Sequence, residues 1–199
     1  MLQLNKRQQQ KKRTHERILS SAYELFCLFG INGTTTLAVA ERAQVSHGLI
    51  FAHFKTRDEL VAAVVGVYGE RVVKRIHELV YAKASLRQTL NAHLTGLSEH
   101  EEFYARLVTD GPILPPMSRA TLLGIQSATA FHLSQSAQSE MQSGHILTIP
   151  VHLLFNTWIG LIHHYLANRD LFAPNASVLR RCGPELLEHY LGLLAIKKP

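Results

Sequence analysis

Twelve histidines and two cysteines are the side chains of this 199-residue chain best suited to hold a metal or attack a substrate. Their spacing serves neither purpose. His152 and His163 stand eleven residues apart, on one face if that segment is helical, with His164 adjoining. No H-x-x-x-H pair occurs, and no cysteine or carboxylate falls at ligand spacing. Cys27 and Cys182 are too few for a disulfide framework. They suit a reduced cytosolic protein, with Cys27 on the buried side of a helix. There is no G-x-S-x-G elbow and no phosphate loop, so no nucleophile has a partner. These absences argue against an enzyme, a catalytic residue, a cofactor and a metal centre.

A different chemistry gathers near the N-terminus. Residues 45–54 read VSHGLIFAHF, in which a hydroxyl and an imidazole flank a glycine ahead of an apolar, aromatic run. Such groups donate and accept hydrogen bonds. They also lie within the charged part of the chain. The net charge is +6, and residues 1–57 hold nine Lys/Arg against three Asp/Glu, while residues 58–199 hold twelve of each. A basic block at one end of an otherwise neutral chain points to a polyanionic partner there. Residues 1–13, MLQLNKRQQQKKR, read either as a solvated tail or as an arm that gains phosphate contacts on nucleic acid.

The elements that must position these groups are helical. Apolar residues make up 46% of the chain, enough for a sizeable core, and mean hydropathy is near zero. Ile18, Ala22, Leu25, Phe26 and Phe29 mark one face of a helix that starts near Thr14 and ends at Gly30. Thr34 or Thr35 can cap a short helix through Ala43, and Ser46 another to about Ala52. Residues 35–52 thus read as helix, tight turn, helix. Thr56 opens a long helix to about Lys83, with Asp58 and Glu59 favourably placed in its first turn. Further helices are expected over 86–97, from a Ser98/Glu101 capping box through Val108, and over 118–143. Thr148 with Pro150 in the first turn opens one to about Asn168, and Gly183-Pro184 starts the last, 185–196. Residues 170–176 read as a loop. The fold class is all-α, with about nine helices and no sheet. The longest apolar run, near 149–167, is broken by Pro150, His152, Asn156, His163 and His164, so no membrane span is expected. No apolar signal core precedes it, and the expected location is the cytoplasm.

Residues 14–60 resemble the DNA-binding domain of tetracycline-repressor (TetR) type transcriptional regulators. That family shows a helix ending L-F-x-x-x-G, matched by Leu25, Phe26 and Gly30, then a threonine pair, Thr34 and Thr35. Its I-A-x-x-A-G-V-S-x-G-x-L-Y-x-H-F run is matched by VAERAQVSHGLIFAHF over 39–54, and its K-x-x-L by Arg57 to Leu60. Three departures matter. Gln44 replaces the glycine of the turn, where a positive φ would cost a non-glycine residue about 1 kcal/mol. Phe51 replaces a tyrosine and so lacks a hydroxyl for a phosphate. Arg57 replaces lysine, keeping the charge in a forked form.

The resemblance implies a helix-turn-helix domain over 1–57 and a ligand-binding and dimerisation domain over 58–199. Ser46, His47, Gly48 and Leu49 would meet base edges from the start of the second helix of the motif. Gly48 either permits close approach of the backbone to DNA or serves packing inside the small domain. Thr35, Thr36, Phe51, His53, Lys55 and Arg57 would meet the backbone, with Leu37, Arg42, Lys11, Lys12 and Arg13 as further contacts. Phe54 would plug the small core, and Phe51 would pack on sugar or join it. The partners implied are double-stranded DNA with a palindromic operator, a second copy of the chain, and a small apolar or aromatic effector. His93, Phe103, Tyr104, Leu107, Phe131, Phe155 and Trp158 are the candidate pocket. Val151, Leu154, Phe155, Ile162, Leu187, Tyr190 and Leu194 are the candidate dimer interface. An effector-independent, architectural DNA-binding protein and a histidine-based metal sensor are the alternatives.

Overall fold

The computed structural model describes residues 5–81 and 83–196. Its elements are α1 (Lys6–Phe29), α2 (Thr36–Arg42), α3 (His47–His53), α4 (Arg57–Leu79), α5 (Leu86–Ser98), α6 (Glu101–Asp110), α7 (Pro116–Gln142), α8 (Val151–Ala167), α9 (Arg169–Phe172) and α10 (Val178–Leu194). A 3-10 turn at Gly111–Ile113 joins α6 to α7. The chain is all-α, with ten α-helices among the described residues and one isolated backbone bridge, between Ile146 and Ala195.

Two helices as short as α2 and α3 cannot stand alone. They are held by a common core in which Ile18, Ala22 and Phe26 of α1 meet Val39 and Ala40 of α2, Ile50 of α3, Phe54, and Leu60 and Val64 of α4. From there α4 runs on to cross α7. A Cβ added to Gly69 would lie 2.4 Å from Cγ2 of Thr121, so the glycine lets the two helices meet closely. The same core continues through α5, α6, α8 and α10, where Trp158, Tyr104 and Tyr190 are buried, while Phe103 of α6 packs against Tyr23 of α1 and Tyr68 of α4.

Several helix ends differ from the sequence expectation, each for a local reason. Helix α1 starts at Lys6, ahead of Thr14, because Asn5 and Gln8 form a capping box. The Gln8 N–H donates to Asn5 Oδ1 at 2.8 Å and the Asn5 N–H to Gln8 Oε1 at 3.0 Å. Apolar periodicity cannot see this end, since residues 5–13 are all exposed. Residues 1–4 of the expected arm lie outside the described residues. The Ser98/Glu101 capping box does not form: Ser98 Oγ donates to the Thr95 carbonyl instead, and His100 precedes α6 without a side-chain cap. Pro150 is the cap position of α8, not a residue of its first turn. Part of the expected 170–176 loop is the short α9.

The largest difference is at α10, which begins at Val178 and contains Pro184 rather than starting there. Ser177 is its N-cap, and the buried Glu101 carboxylate accepts from the backbone N–H groups of Val178 at 2.7 Å and Leu179 at 3.1 Å. An ionised carboxylate at the positive end of the helix dipole stabilises an N-terminus strongly when it is buried. The stabilising partner comes from far away in sequence, which is why proline looked like the start.

Candidate nucleic-acid interface

Thr35 caps α2, its Oγ1 accepting from the Ala38 N–H at 3.1 Å. Thr34 is buried beside it and closes the preceding turn by donating to the Gly30 carbonyl at 2.8 Å. The turn between α2 and α3 is a Schellman motif: the Gln44 N–H donates to Glu41 and the Val45 N–H to Ala40, at 3.1 and 3.0 Å. Gln44 holds φ at 52°. The turn therefore keeps the shape a glycine would give, at the strain expected of a side chain there. Ser46 then caps α3, accepting from the Leu49 N–H at 3.3 Å.

This arrangement turns one end of α3 outward. Ser46, His47, Gly48 and Leu49 are exposed together with Thr35, Leu37, Ala52 and Lys55. Nothing lies within 4 Å of a Cβ added at Gly48, so its side of α3 packs against no other helix. Packing inside the small domain is thereby removed as a reason for the glycine. Thr36 and His47 are joined, Oγ1 to Nε2, at 3.0 Å, which fixes the imidazole at the rim of α2 and α3. Phe51 is 44% exposed and packs edge-on to His47, with ring centroids 5.1 Å apart. It does not join the core. Ile50 does, alongside Phe54. Ile50 was not singled out in the sequence, although its spacing of four from Phe54 carries the signal.

His53 and Arg57 stand differently from the rest. His53 is half-buried on the α1 side, 5.6 Å from the His15 ring, rather than facing outward with His47. Burial, and then the charges of His15 and Lys11, hold its imidazole below the usual histidine range. The Arg57 guanidinium donates to the Thr34 carbonyl at 3.3 Å and to the Ile31 carbonyl. It ties the start of α4 to the turn before α2, in place of the free phosphate clamp expected of it. Arg42 likewise turns to Glu24 of α1, at 2.7 Å from Nε. The cations left fully outward are on α1 and at Lys55: Lys6, Arg7, Lys11, Lys12, Arg13 and Arg17, with Lys12 making an exposed 3.9 Å pair to Glu16.

Residues 18–64 match the family described as bacterial regulatory proteins, tetR family. Those residues are similar to the tetR family. They comprise the second half of α1, all of α2 and α3, and the first turns of α4. An HTH-type transcriptional repressor of Mycobacterium tuberculosis is 34% identical over 94 residues, which is 47% of this chain and 46% of that protein. The uncharacterised regulator YvkB of Bacillus subtilis is 42% identical over 56 residues, 28% of this chain and 30% of that one. The chain thus spans about half or less of the curated relatives it matches. The whole fold is also that of tetR-family regulators. A tetR-family regulatory protein from Rhodococcus superposes with a TM-score of 0.75 at 17% identity, covering 93% of this chain and 98% of that one. The ketosteroid regulator KstR2 of Mycobacterium tuberculosis gives 0.72 at 15%, covering 98% of each chain.

Beyond the tetR-type helices, the expected pocket and interface are rearranged. His93, Phe103, Tyr104, Leu107 and Trp158 are wholly buried core, Phe155 is half-buried, and Phe131 is 56% exposed on the outer side of α7. Phe131 does not line a site with the others. The Trp158 indole N–H donates to His93 Nδ1 at 3.0 Å, and the Tyr104 hydroxyl meets His163 Nε2 at 3.0 Å. Burial pushes the His93 imidazole down to about 3, with His163 adding to the shift, and pushes that of His163 down to about 4. Open volume lies elsewhere, in an α4–α7 groove of about 660 Å³ and in a cavity of about 500 Å³ beside α5.

Of the expected interface, Leu154, Ile162, Leu187, Tyr190 and Leu194 are buried within the chain's own core, and Val151 and Phe155 are half-buried. Tyr190 even donates its hydroxyl to the Leu154 carbonyl inside that core. The outward faces of α8 and α10 carry Leu153, Asn156, Thr157, Gly160 and Leu193, with Leu153 50% and Leu193 56% exposed. The apolar period of α8 and α10 marks their inner face.

Proposed function

We propose that this chain is a ligand-responsive transcriptional regulator, acting as a repressor, that binds a palindromic operator as a homodimer and is released by a small effector. Residues 1–57 read the DNA, and residues 58–199 hold the effector and the partner. The observation that carries this reading is the outward end of α3, where Ser46, His47, Gly48 and Leu49 project from a locked turn with no protein over Gly48. A helix N-terminus so presented can enter the major groove and bring its backbone close to base edges. Exposed Lys6, Arg7, Lys11 and Lys12 on α1 supply phosphate attraction on the same half of the molecule, and the tetR-family match, over residues 18–64, covers α2 and α3.

One such unit reads too few base pairs to single out a genomic site, so a two-fold pair is required. The outward faces of α8 and α10 suit that pairing, because Leu153 and Leu193 offer apolar area and Gly160 and Gly192 leave open space for close approach. The effector is apolar or aromatic in part. A neighbour of this fold, FadR of Bacillus subtilis, was solved with stearoyl-CoA, at a TM-score of 0.70 and 17% identity over 88% of this chain and 96% of that one. The protein works in the cytoplasm, where the DNA is.

Selection of bound duplexes from a random pool tests the reading. Enrichment of a near-palindrome, occupied by two chains or a multiple of two, is the expected result. A steep salt dependence with no enriched sequence would replace the repressor with an architectural DNA-binding protein.

A further inference from the structure

Helices α4 and α7 bring together two histidines that stand 55 residues apart in the sequence, with His77 Nδ1 and His132 Nε2 facing each other at 2.6 Å. Rings so close share a hydrogen bond, in which one facing nitrogen carries a proton and the other offers its lone pair. The backbones behind them are fixed by the close approach of Gly69 to Thr121, about two turns earlier on α4. Phe131 packs edge-to-face on the His132 ring, with centroids 5.3 Å apart, and steadies it. His77 is exposed and His132 is half-buried. His77 lines the α4–α7 groove and His132 the cavity beside α5, so the pair stands between two open volumes. Their walls set Glu70 and Glu78 against Lys74 and Lys83, a balance that does not repel a cation.

We propose that His77 and His132 together bind one divalent transition-metal ion of the zinc, nickel and copper class. Neutral imidazole suits these ions, and two imidazoles on packed helices hold their donors ready. At a Zn–N length of about 2.0–2.1 Å two donors of one ion stand about 2.9–3.3 Å apart, so the facing nitrogens must part by less than about 1 Å. Exposed His77 can turn that far. The proton between the rings moves to the outer nitrogen of the ring that carries it, so both rings stay neutral and each gives one lone pair. No third histidine, cysteine or carboxylate joins them among the described residues, so water completes the shell and the ion is exchangeable. Sequence spacing could not show this pair, because its two donors come from separate helices. Bound there, the ion ties α7 to α4, the helix that leaves the tetR-type unit. That coupling rests on the regulator reading; the metal site does not.

Zn²⁺ and Mg²⁺ added to the full, chelator-treated chain probe the site by calorimetry and thermal shift, with no DNA present. The expected result is one Zn²⁺ per chain at micromolar affinity, a raised melting temperature, and no response to Mg²⁺, which prefers oxygen ligands. His77→Ala and His132→Ala should each weaken Zn²⁺ by about tenfold or more, since even the outer partners of metal ligands are worth that much. His132→Gln keeps a polar group at the half-buried position and serves if alanine unfolds the chain. Pulsed electron paramagnetic resonance of the Cu²⁺-loaded protein should show two imidazole nitrogens on the ion, and fewer in each variant. No bound Zn²⁺, or the same Zn²⁺ affinity and melting shift in the parent and the variants, would overturn the site and leave a plain hydrogen bond. A second measurement adds Zn²⁺ to the protein–operator complex. A parent that passes the first test with its operator affinity unchanged loses only the coupling between α4 and α7.

Discussion

The Asp110 carboxylate of α6 accepts the backbone N–H of Ile31, in the turn after α1, at 2.8 Å. It also accepts that of Asn32 at 3.3 Å, while Arg106, one turn back, donates to the carbonyls of Cys27 at 3.2 Å and Leu28 at 3.0 Å. A short helix deep in the sequence thus grips the end of the first one. Its acid meets donors and its base meets the last carbonyls of α1, the favourable sense for a helix C-terminus. Asp110→Ala should cost about 1–2 kcal/mol, because it strips two backbone donors of a charged acceptor. For a chain of this size that lowers the melting temperature by roughly 2–8 °C. Operator affinity should fall as well, since the turn leads directly into α2. Unchanged melting and unchanged affinity together would show the grip to be idle.

Gly48→Ala should act in opposite directions on fold and function. The site is helical and open, so alanine should stabilise the protein by about 0.5–1 kcal/mol. The same methyl should weaken operator binding by about tenfold or more, the scale of a lost base contact. A variant that binds as well as the parent would remove close backbone approach as the reason for this glycine.

Phe51→Tyr should leave stability nearly unchanged, because the ring is already largely in solvent. At low salt it should tighten operator binding by about 1 kcal/mol, the value of one neutral hydrogen bond to phosphate. The salt slope should stay the same, as a phenol displaces no counterion. Equal affinity in parallel titrations would refute the missing contact.

Acid should destabilise the protein through His93 and His163. Their imidazoles are lowered to about 3 and about 4 by burial, below the ordinary value of about 6.5 expected of the unfolded chain. Between those values the unfolded chain binds more protons, so stability rises with pH and is fully present above about pH 6.5. Acidification to about pH 5 should remove roughly 2 kcal/mol for each site. His93→Gln keeps an acceptor for the Trp158 N–H and should flatten the profile. Melting curves that coincide at the two pH values would contradict the buried neutral state.

Leu153→Lys with Leu193→Lys should give a folded monomer, judged by light scattering and circular dichroism. Leu154→Lys should instead unfold the chain, since an unpaired charge in a core costs several kcal/mol. If the double variant stays dimeric, the pairing surface is not the outer face of α8 and α10.

The α2–turn–α3 unit was legible because its caps and its turn are local: Thr35, Ser46 and Gln44 each act within a few residues. The longer helices were legible from apolar spacing, whereas the short α9 and the polar first turns of α1 were not. Which way a helix faces was not. Helix α8 is apolar on more than one side, so Leu154 and Leu153 look alike until α10 is placed. Phe131 failed for the same reason, on a helix with small residues nearly all round. The start of α10 depends on Glu101, and the fate of Arg57 on carbonyls at Ile31 and Thr34. Partners that distant leave no trace in local pattern.

The capped first turns of α1 change how the basic end would meet DNA. A disordered arm must give up about 1–2 kcal/mol of backbone entropy for each residue it orders on binding. Lys6, Arg7, Lys11 and Lys12 already stand on a helix begun by Asn5 and Gln8. Their contacts therefore come without a folding transition: circular dichroism should register no new helix on association, and the heat-capacity change should be that of surfaces meeting rather than of a segment condensing.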